Sequence, residues 1–417
     1  MDALNSPPPP SRSTEPPAST SASSPSSASP SPASPARLRR RIAAFSAGHA
    51  CVDVYQGAVA ALVPFLVAER GYGYAAASGV VLAASLLSSV VQPLFGALTD
   101  RRAVPWLIPL SAAATGLGIV LVGADAGYPA TLAAVALSGL GVAAYHPAAA
   151  RLVRTGMGDG HAAMSWFALG GNIGFACAPL LVAGALSVSG PAGWGLLALP
   201  AAAAVLLNRP PRTGRGDAAA EAGTAAAVRE APAREDRRAF LRLSLVVIVR
   251  SVVFMGLSTF LSLYVQERGG SAGAGAAALS ALFAGSAGGT LLGGWLAARW
   301  GRVRAVRRAY AASVPAIAGI LCLPLPLAYG CAVLAAAALF VPFSLQVTLG
   351  QDYLPTRMGT AAGVTLGLTA SVGGLASPLI GAAADATSVG TALLPLAALP
   401  LLAWALSRSL PDPSPTP

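Results

Sequence analysis

The stretch "GHACVDVYQG" (48–57) sets His49, Asp53 and Gln56 into a run otherwise apolar enough to sit in lipid. His49 precedes Asp53 by four residues and Gln56 follows it by three, so on a helix all three share one face. A carboxylate at the centre of a membrane helix costs about 2.5–3.5 kcal/mol on insertion scales, which predicts that Asp53 faces a cavity or a partner. The chemistry open to an acid beside an imidazole is proton carriage. Desolvation and a neighbouring cation act in opposite directions on its proton affinity, and their balance is set by structure. The plainer alternative is that Asp53 and His49 bond each other or nearby backbone and pin two helices together.

The elements that must hold these residues are membrane spans. Of 417 residues, 55% are hydrophobic and 10% charged, a balance that no ordinary soluble domain has. All 27 basic residues are arginine. Without lysine the chain can be neither a P-loop ATPase nor a Schiff-base enzyme, so energy for any pumping must come from elsewhere. The net charge of +11 falls between apolar runs and not on one basic face, which argues for topology signals and against nucleic acid. Cys51, Cys177, Cys322 and Cys331 lack CxxC spacing, and the three histidines are too far apart in sequence for a metal-ligand pattern. No metal or cofactor is expected.

A span needs about 20 apolar residues. Stretches free of Asp, Glu and Arg over 71–99, 103–124 and 126–150 hold one each, and 162–208 holds two, broken at "SGPAGW" (189–194). Further on, 269–298 holds one, 309–351 two divided at "PLPLAYG" (324–330), and 358–384 and 386–407 one each. Two more spans, near 42–68 and 240–266, are interrupted by Asp53 and Arg250. The sum is twelve. Arginine clusters in the loops after even-numbered spans, whereas the opposite loops hold only Arg70 and Arg268. By the positive-inside rule both termini are cytoplasmic, and the protein sits in the cytoplasmic (inner) cell membrane.

The expected organisation is a disordered cytoplasmic tail (1–36), a six-helix half (37–208), a cytoplasmic hinge (209–238), a second six-helix half (239–408) and a short disordered tail (409–417). The halves read as copies. A shift of 198 lays "ERG" at 69–71 on "ERG" at 267–269, and a shift of 199 lays Gly174, Pro179 and Leu180 on Gly373, Pro378 and Leu379. Tandem halves in one orientation can rock about a central cavity.

"GALTDRR" (96–102) resembles the cytoplasmic loop motif of the major facilitator superfamily, and "GGWLAARWGR" (293–302) its weaker second copy, with Ala298 in place of the acid. "GNIGFACAPLLVAG" (171–184) resembles the fifth-span motif of the antiporter branch. "GHACVDVYQG", "SSVVQPLFGALTDRRAVPWLIP" (88–109), "YHPAAARLVR" (145–154) and "DYLPTRMGTAAG" (352–363) are similar to the fosmidomycin-resistance transporters, although Ala148 stands where that family has an acid after "HP". The resemblance covers about residues 40–408. It implies an all-α fold of twelve transmembrane helices in two parallel-repeat halves, with the first and seventh spans lining the cavity. It also implies that Asp100, Arg101 and Arg102 form a charge lock between helix ends.

Site roles follow as expectations. Asp53 and His49 carry the proton. Arg250, one position from the repeat equivalent of Asp53, attracts an anionic cargo group when Asp53 is protonated and pairs with Asp53 when it is not; alternatively it snorkels to water from about 10 Å depth. Gln56, His146 and Tyr264 line the cargo site, His146 having the alternative of bonding a carbonyl beside Pro147. Gly171, Gly174 and Pro179 permit close helix contact and bending in the fifth span. The chain is thus expected to be a monomeric, proton-coupled exporter of a small anionic drug-like compound. Its rivals are a nutrient or metabolite carrier of the same fold and an intramembrane transferase, the latter disfavoured by short arginine-rich loops poor in acids.

Overall fold

The computed structural model describes residues 35–102, 104–156, 160–189, 193–208 and 235–412. Most of the tails and hinge expected at 1–36, 209–238 and 409–417 lies outside them. The described chain is helical: α1 (Pro35–Arg70), α2 (Tyr74–Arg101), α3 (Leu107–Val122), α4 (Tyr128–Gly156), α5 (Gly160–Ser189), α6 (Gly193–Leu196), α7 (Leu199–Leu207), α8 (Arg237–Glu267), α9 (Ala272–Trp300), α10 (Arg302–Cys322), α11 (Leu325–Phe340), α12 (Pro342–Tyr353), α13 (Met358–Ala386) and α14 (Val389–Arg408).

Two pairs, α6 with α7 and α11 with α12, each occupy one expected span, so the fourteen helices form twelve successive segments in the predicted places. Among the described residues, eight passages are long and apolar enough to cross a membrane by themselves. The α11–α12 break falls at Pro342, a residue suited to the first position of a helix because its missing N–H has no intrahelical partner there. Prolines inside α1, α2, α4 and α5 do not end those helices, as expected where neighbouring helices can satisfy the freed carbonyls.

Packing repeats with the sequence. In the first half α1 packs on α5 and α7, α2 on α4, and α3 on α4 and α7. In the second, α8 packs on α13 and α14, α9 on α11, and α10 on α11 and α14. Each contact of the first set recurs six segments later. The halves meet through α2–α13 and α5–α9. They are tied at the arginine-poor end, where the Asp385 carboxylate accepts hydrogen bonds from the Tyr74 and Ala75 backbone N–H groups at 2.7 and 2.9 Å. These are unpaired donors of the first turn of α2, which carries the positive end of the helix dipole.

Between the halves lies a cavity of about 180 Å³, walled by α1, α2, α4 and α5 from one side and α8 and α9 from the other. The resemblance implied that the first and seventh spans would line it, and α1 and α8 do.

Candidate functional site

Asp53 is buried on α1, its carboxylate held between two imidazoles. Oδ2 lies 3.2 Å from His49 Nε2 and Oδ1 lies 3.1 Å from His146 Nε2. The two Nε2 atoms are themselves 3.2 Å apart. His146 comes from α4, 93 residues away in sequence, and closes a cluster that helical spacing could begin but not complete.

The outer ring nitrogens are fixed by backbone. His49 Nδ1 is 2.7 Å from the Phe167 carbonyl of α5, and His146 Nδ1 is 2.9 Å from the Val142 carbonyl one turn back on α4. A carbonyl oxygen only accepts, so each Nδ1 carries the hydrogen and each neutral ring presents a bare lone pair at Nε2. Two such lone pairs and a carboxylate then converge with no hydrogen between them. The arrangement is stable only with a cation among these donor atoms, in the simplest case a proton. His49 also stacks flat on Phe167, centroids 3.9 Å apart, which fixes the ring plane.

Close helix approach makes room for this. A Cβ at Gly171 of α5 would stand 2.5 Å from Asp53 Oδ2 and 2.5 Å from His49 Cε1, and one at Gly174 would overlap the Ala50 carbonyl. The buried Gly171 and Gly174 thus let α5 lie directly on α1; Pro179 is buried in the same helix.

Several expected placements need correction. Asp53 and His49 stand behind the cavity wall, in the seam of α1, α4 and α5, because His146 and Phe167 enclose them. His146 belongs to the same cluster and does not line the cavity; its side chain, 23% exposed against 11% for Asp53 and 7% for His49, is the least buried of the three. Its Nδ1 does contact a carbonyl, but that of Val142 and not that of Ala143, the one that Pro147 leaves without a donor. Gln56 does line the cavity, three residues from Asp53, as does Val142.

Arg250 is 1% exposed, so it does not snorkel. Its guanidinium lies 5.4 and 5.2 Å from the ring centroids of Phe340 and Phe343, and Asp53 has the two imidazoles as its near partners instead of the expected arginine. Close by, Gln346 Nε2 donates to the Tyr310 hydroxyl at 2.7 Å. Tyr264 is also no cavity residue: its hydroxyl donates to the Leu321 carbonyl at 2.7 Å, and its ring packs into the core at the arginine-poor end. That carbonyl, in the last turn of α10, has no intrahelical donor and takes the phenol instead. Arg101 and Arg102 are exposed, and the side chain of Asp100 lies outside the described residues.

The cavity lining combines the Tyr55, Phe175, Phe254 and Phe283 rings with Gln56 and the hydroxyls of Ser85, Ser88, Ser138 and Ser258. Among the described residues that line it, none carries a formal charge. The composition suits a small molecule with an apolar body and a few polar groups. Sequence reasoning missed Phe340, Tyr310 and Asp385. An acid closing an apolar span in an arginine-poor loop was the one available signal for Asp385.

Comparison with known proteins agrees with this architecture. The family model of the Major Facilitator Superfamily matches residues 45–410. The fosmidomycin resistance protein of Escherichia coli (strain K12) is 28% identical over 384 residues, covering 89% of this chain and 92% of its own length. An uncharacterized MFS-type transporter, YfnC, of Bacillus subtilis (strain 168) is 28% identical over 374 residues, with 85% and 88% covered. Among solved structures, a bacterial homologue of the human lysosomal transporter Spinster in an inward-facing, occupied conformation superposes with TM-score 0.71 at 17% identity, covering 88% of this chain and 95% of that one. The nucleoside transporter NupG superposes with TM-score 0.68 at 13% identity, covering 89% and 98%. These relatives and neighbours are transporters and not enzymes. The chain belongs to the major facilitator superfamily.

Proposed function

We propose that this chain is a proton-coupled secondary exporter of a small drug-like compound, working by alternating access in the cytoplasmic membrane with both termini inside. One observation carries the coupling: the lone pairs of His49, Asp53 and His146 converge within 3.2 Å and need a cation between them. Gln56 and Val142 connect that cluster to the cavity wall, the first through α1 and the second through its carbonyl, which holds the His146 ring. Proton arrival or departure alters the attraction that binds α1 to α4, and cargo pressing on the wall feels the change. In this orientation the Asp385 tie joins the two halves at the outer end.

The likeness to the fosmidomycin resistance protein supports export of a phosphonate-like compound. The uncharged lining supports a second reading, in which the cargo is neutral and the carrier serves a metabolite. Arg250 can meet an anion once the rings of Phe340 and Phe343 move aside, and we assign it the anion-attracting role on that condition. Everted vesicles separate these readings. Acidification of the lumen is expected to drive uptake of a labelled phosphonate by the wild type and not by Asp53→Asn; equal uptake by both removes Asp53 from the mechanism. Uptake of neutral compounds alone would favour the second reading.

A further inference from the structure

We infer that His49, Asp53 and His146 form a binding site for one divalent ion of the zinc class. Among the described residues, this is the one group in which three metal-ligating side chains bring their donor atoms together. His49 Nε2 lies 3.2 Å from Asp53 Oδ2, His146 Nε2 lies 3.1 Å from Asp53 Oδ1, and the two Nε2 atoms are 3.2 Å apart. An ion with metal–ligand bonds of about 2.0–2.1 Å in tetrahedral geometry puts its ligands about 3.3 Å apart. Each ring therefore already stands at a fitting distance from the other ring and from one carboxylate oxygen, with Asp53 offering Oδ2 to His49 and Oδ1 to His146.

The second layer is already arranged for metal. Histidines that bind metal ions almost always donate their other ring N–H to a carbonyl or carboxylate, which fixes the tautomer and orients the lone pair. Here Phe167 and Val142 supply those carbonyls at 2.7 and 2.9 Å. Asp53 Oδ1 is buried and lacks an aligned hydrogen-bond donor, although His146 Nε2 is 3.1 Å away. A carboxylate oxygen in that position is suited to a cation.

Ligand type sets the class of ion. Two imidazoles and one carboxylate suit zinc, cobalt, nickel and copper, whereas magnesium and calcium seek six or more oxygen ligands. Three protein ligands leave a fourth position for water or a donor atom of another molecule. His146 is the least buried of the three ligands, its side chain 23% exposed. Gly171 keeps the site open, since a Cβ there would press on both Asp53 and His49.

The inference goes beyond the transport reading and does not depend on it, because binding is measured without cargo or a gradient. The test uses the full chain in detergent, free of any affinity tag, titrated with Zn²⁺ by calorimetry and with Co²⁺ by visible absorption. Expected are one ion per chain, an intense four-coordinate Co²⁺ spectrum, and a rise in thermal unfolding temperature with Zn²⁺. Affinity should fall more than about 100-fold in His49→Ala and in His146→Ala. His161→Ala, which removes the one remaining histidine, should bind as the wild type does. Gly171→Ala keeps every ligand yet should weaken binding, which separates a shaped site from loss of a ligand and serves where a histidine variant fails to fold. No binding by the folded wild type, or binding unchanged in the histidine variants, overturns the inference.

Discussion

The first and second halves place very different chemistry at equivalent points of one repeated framework. A shift of 198 carries Arg250 to position 52, next to Asp53. Around Asp53, the first half gathers two imidazoles, an arrangement that asks for a small mobile cation. Around Arg250, the second half gathers Phe340, Phe343 and the Tyr310–Gln346 pair, which embed a permanent cation in aromatic rings. An arginine stays charged throughout the physiological range, whereas acids and imidazoles can exchange protons. Duplication kept the pairing of helices and let each half specialise.

The sharpest break in this comparison is Asp53→Asn. It should abolish proton-driven movement in everted vesicles while leaving cargo-for-cargo exchange, which needs no drive; loss of both would mean that Asp53 also shapes the cargo path. Next in size, Arg250→Ala should lower stability by about 2–4 kcal/mol, through the cavity it leaves and the lost ring contacts, as read by thermal unfolding in detergent. A variant of unchanged stability would show that the aromatic cage is not held by the guanidinium.

Asp385→Ala removes the tie between the halves. A lost carboxylate cap of this kind costs about 0.5–2 kcal/mol, enough to raise the population opened at that end severalfold. Labelling of a cysteine placed at Tyr74 should quicken accordingly, and an unchanged rate would mean that apolar packing alone holds this end. Smaller again, Tyr264→Phe should lose about 1 kcal/mol of stability and leave the KM for cargo unchanged, as befits a residue bonded to the Leu321 carbonyl.

The smallest effect concerns Glu235, at the entry to α8. It accepts hydrogen bonds from Thr356 and Arg237, which hold its carboxyl below the usual glutamate range. With the folded value depressed, this contact contributes fully above the ordinary glutamate pKa of about 4.3 and is lost as pH falls through the folded value. Stability measured downward from pH 6 should therefore decline slightly less in Glu235→Gln than in the wild type, and identical profiles would exclude the contribution.

Much of the fold was legible because charge is expensive in lipid: charge-free runs located the spans, whereas the break expected at "PLPLAYG" (324–330) comes at Leu323 and Pro324, residues 325–330 already belonging to α11. The cluster was legible only in part. His49 and Asp53 share a helix, so spacing alone joins them; His146 is joined to them by the packing of α4 near α1, which no local periodicity encodes. For the same reason the histidines looked too scattered for a metal. Tyr264 and Tyr55 were indistinguishable in sequence. Tyr55 lines the cavity while its hydroxyl donates to the Leu197 carbonyl and accepts from Ala201 N–H, whereas Tyr264 packs its ring into the core and bonds the Leu321 carbonyl.

The glycine row on α5 has a practical consequence. Because Gly171 and Gly174 bring one backbone against the other, α1 and α5 have almost no freedom to slide independently. Any tilt of the helix bearing the acid must be copied by its neighbour. A fluorophore or spin label at Trp166 or Ile173, both on the exposed face of α5, would therefore report the movements of α1 from a distance, without disturbing the residues whose occupancy is being followed.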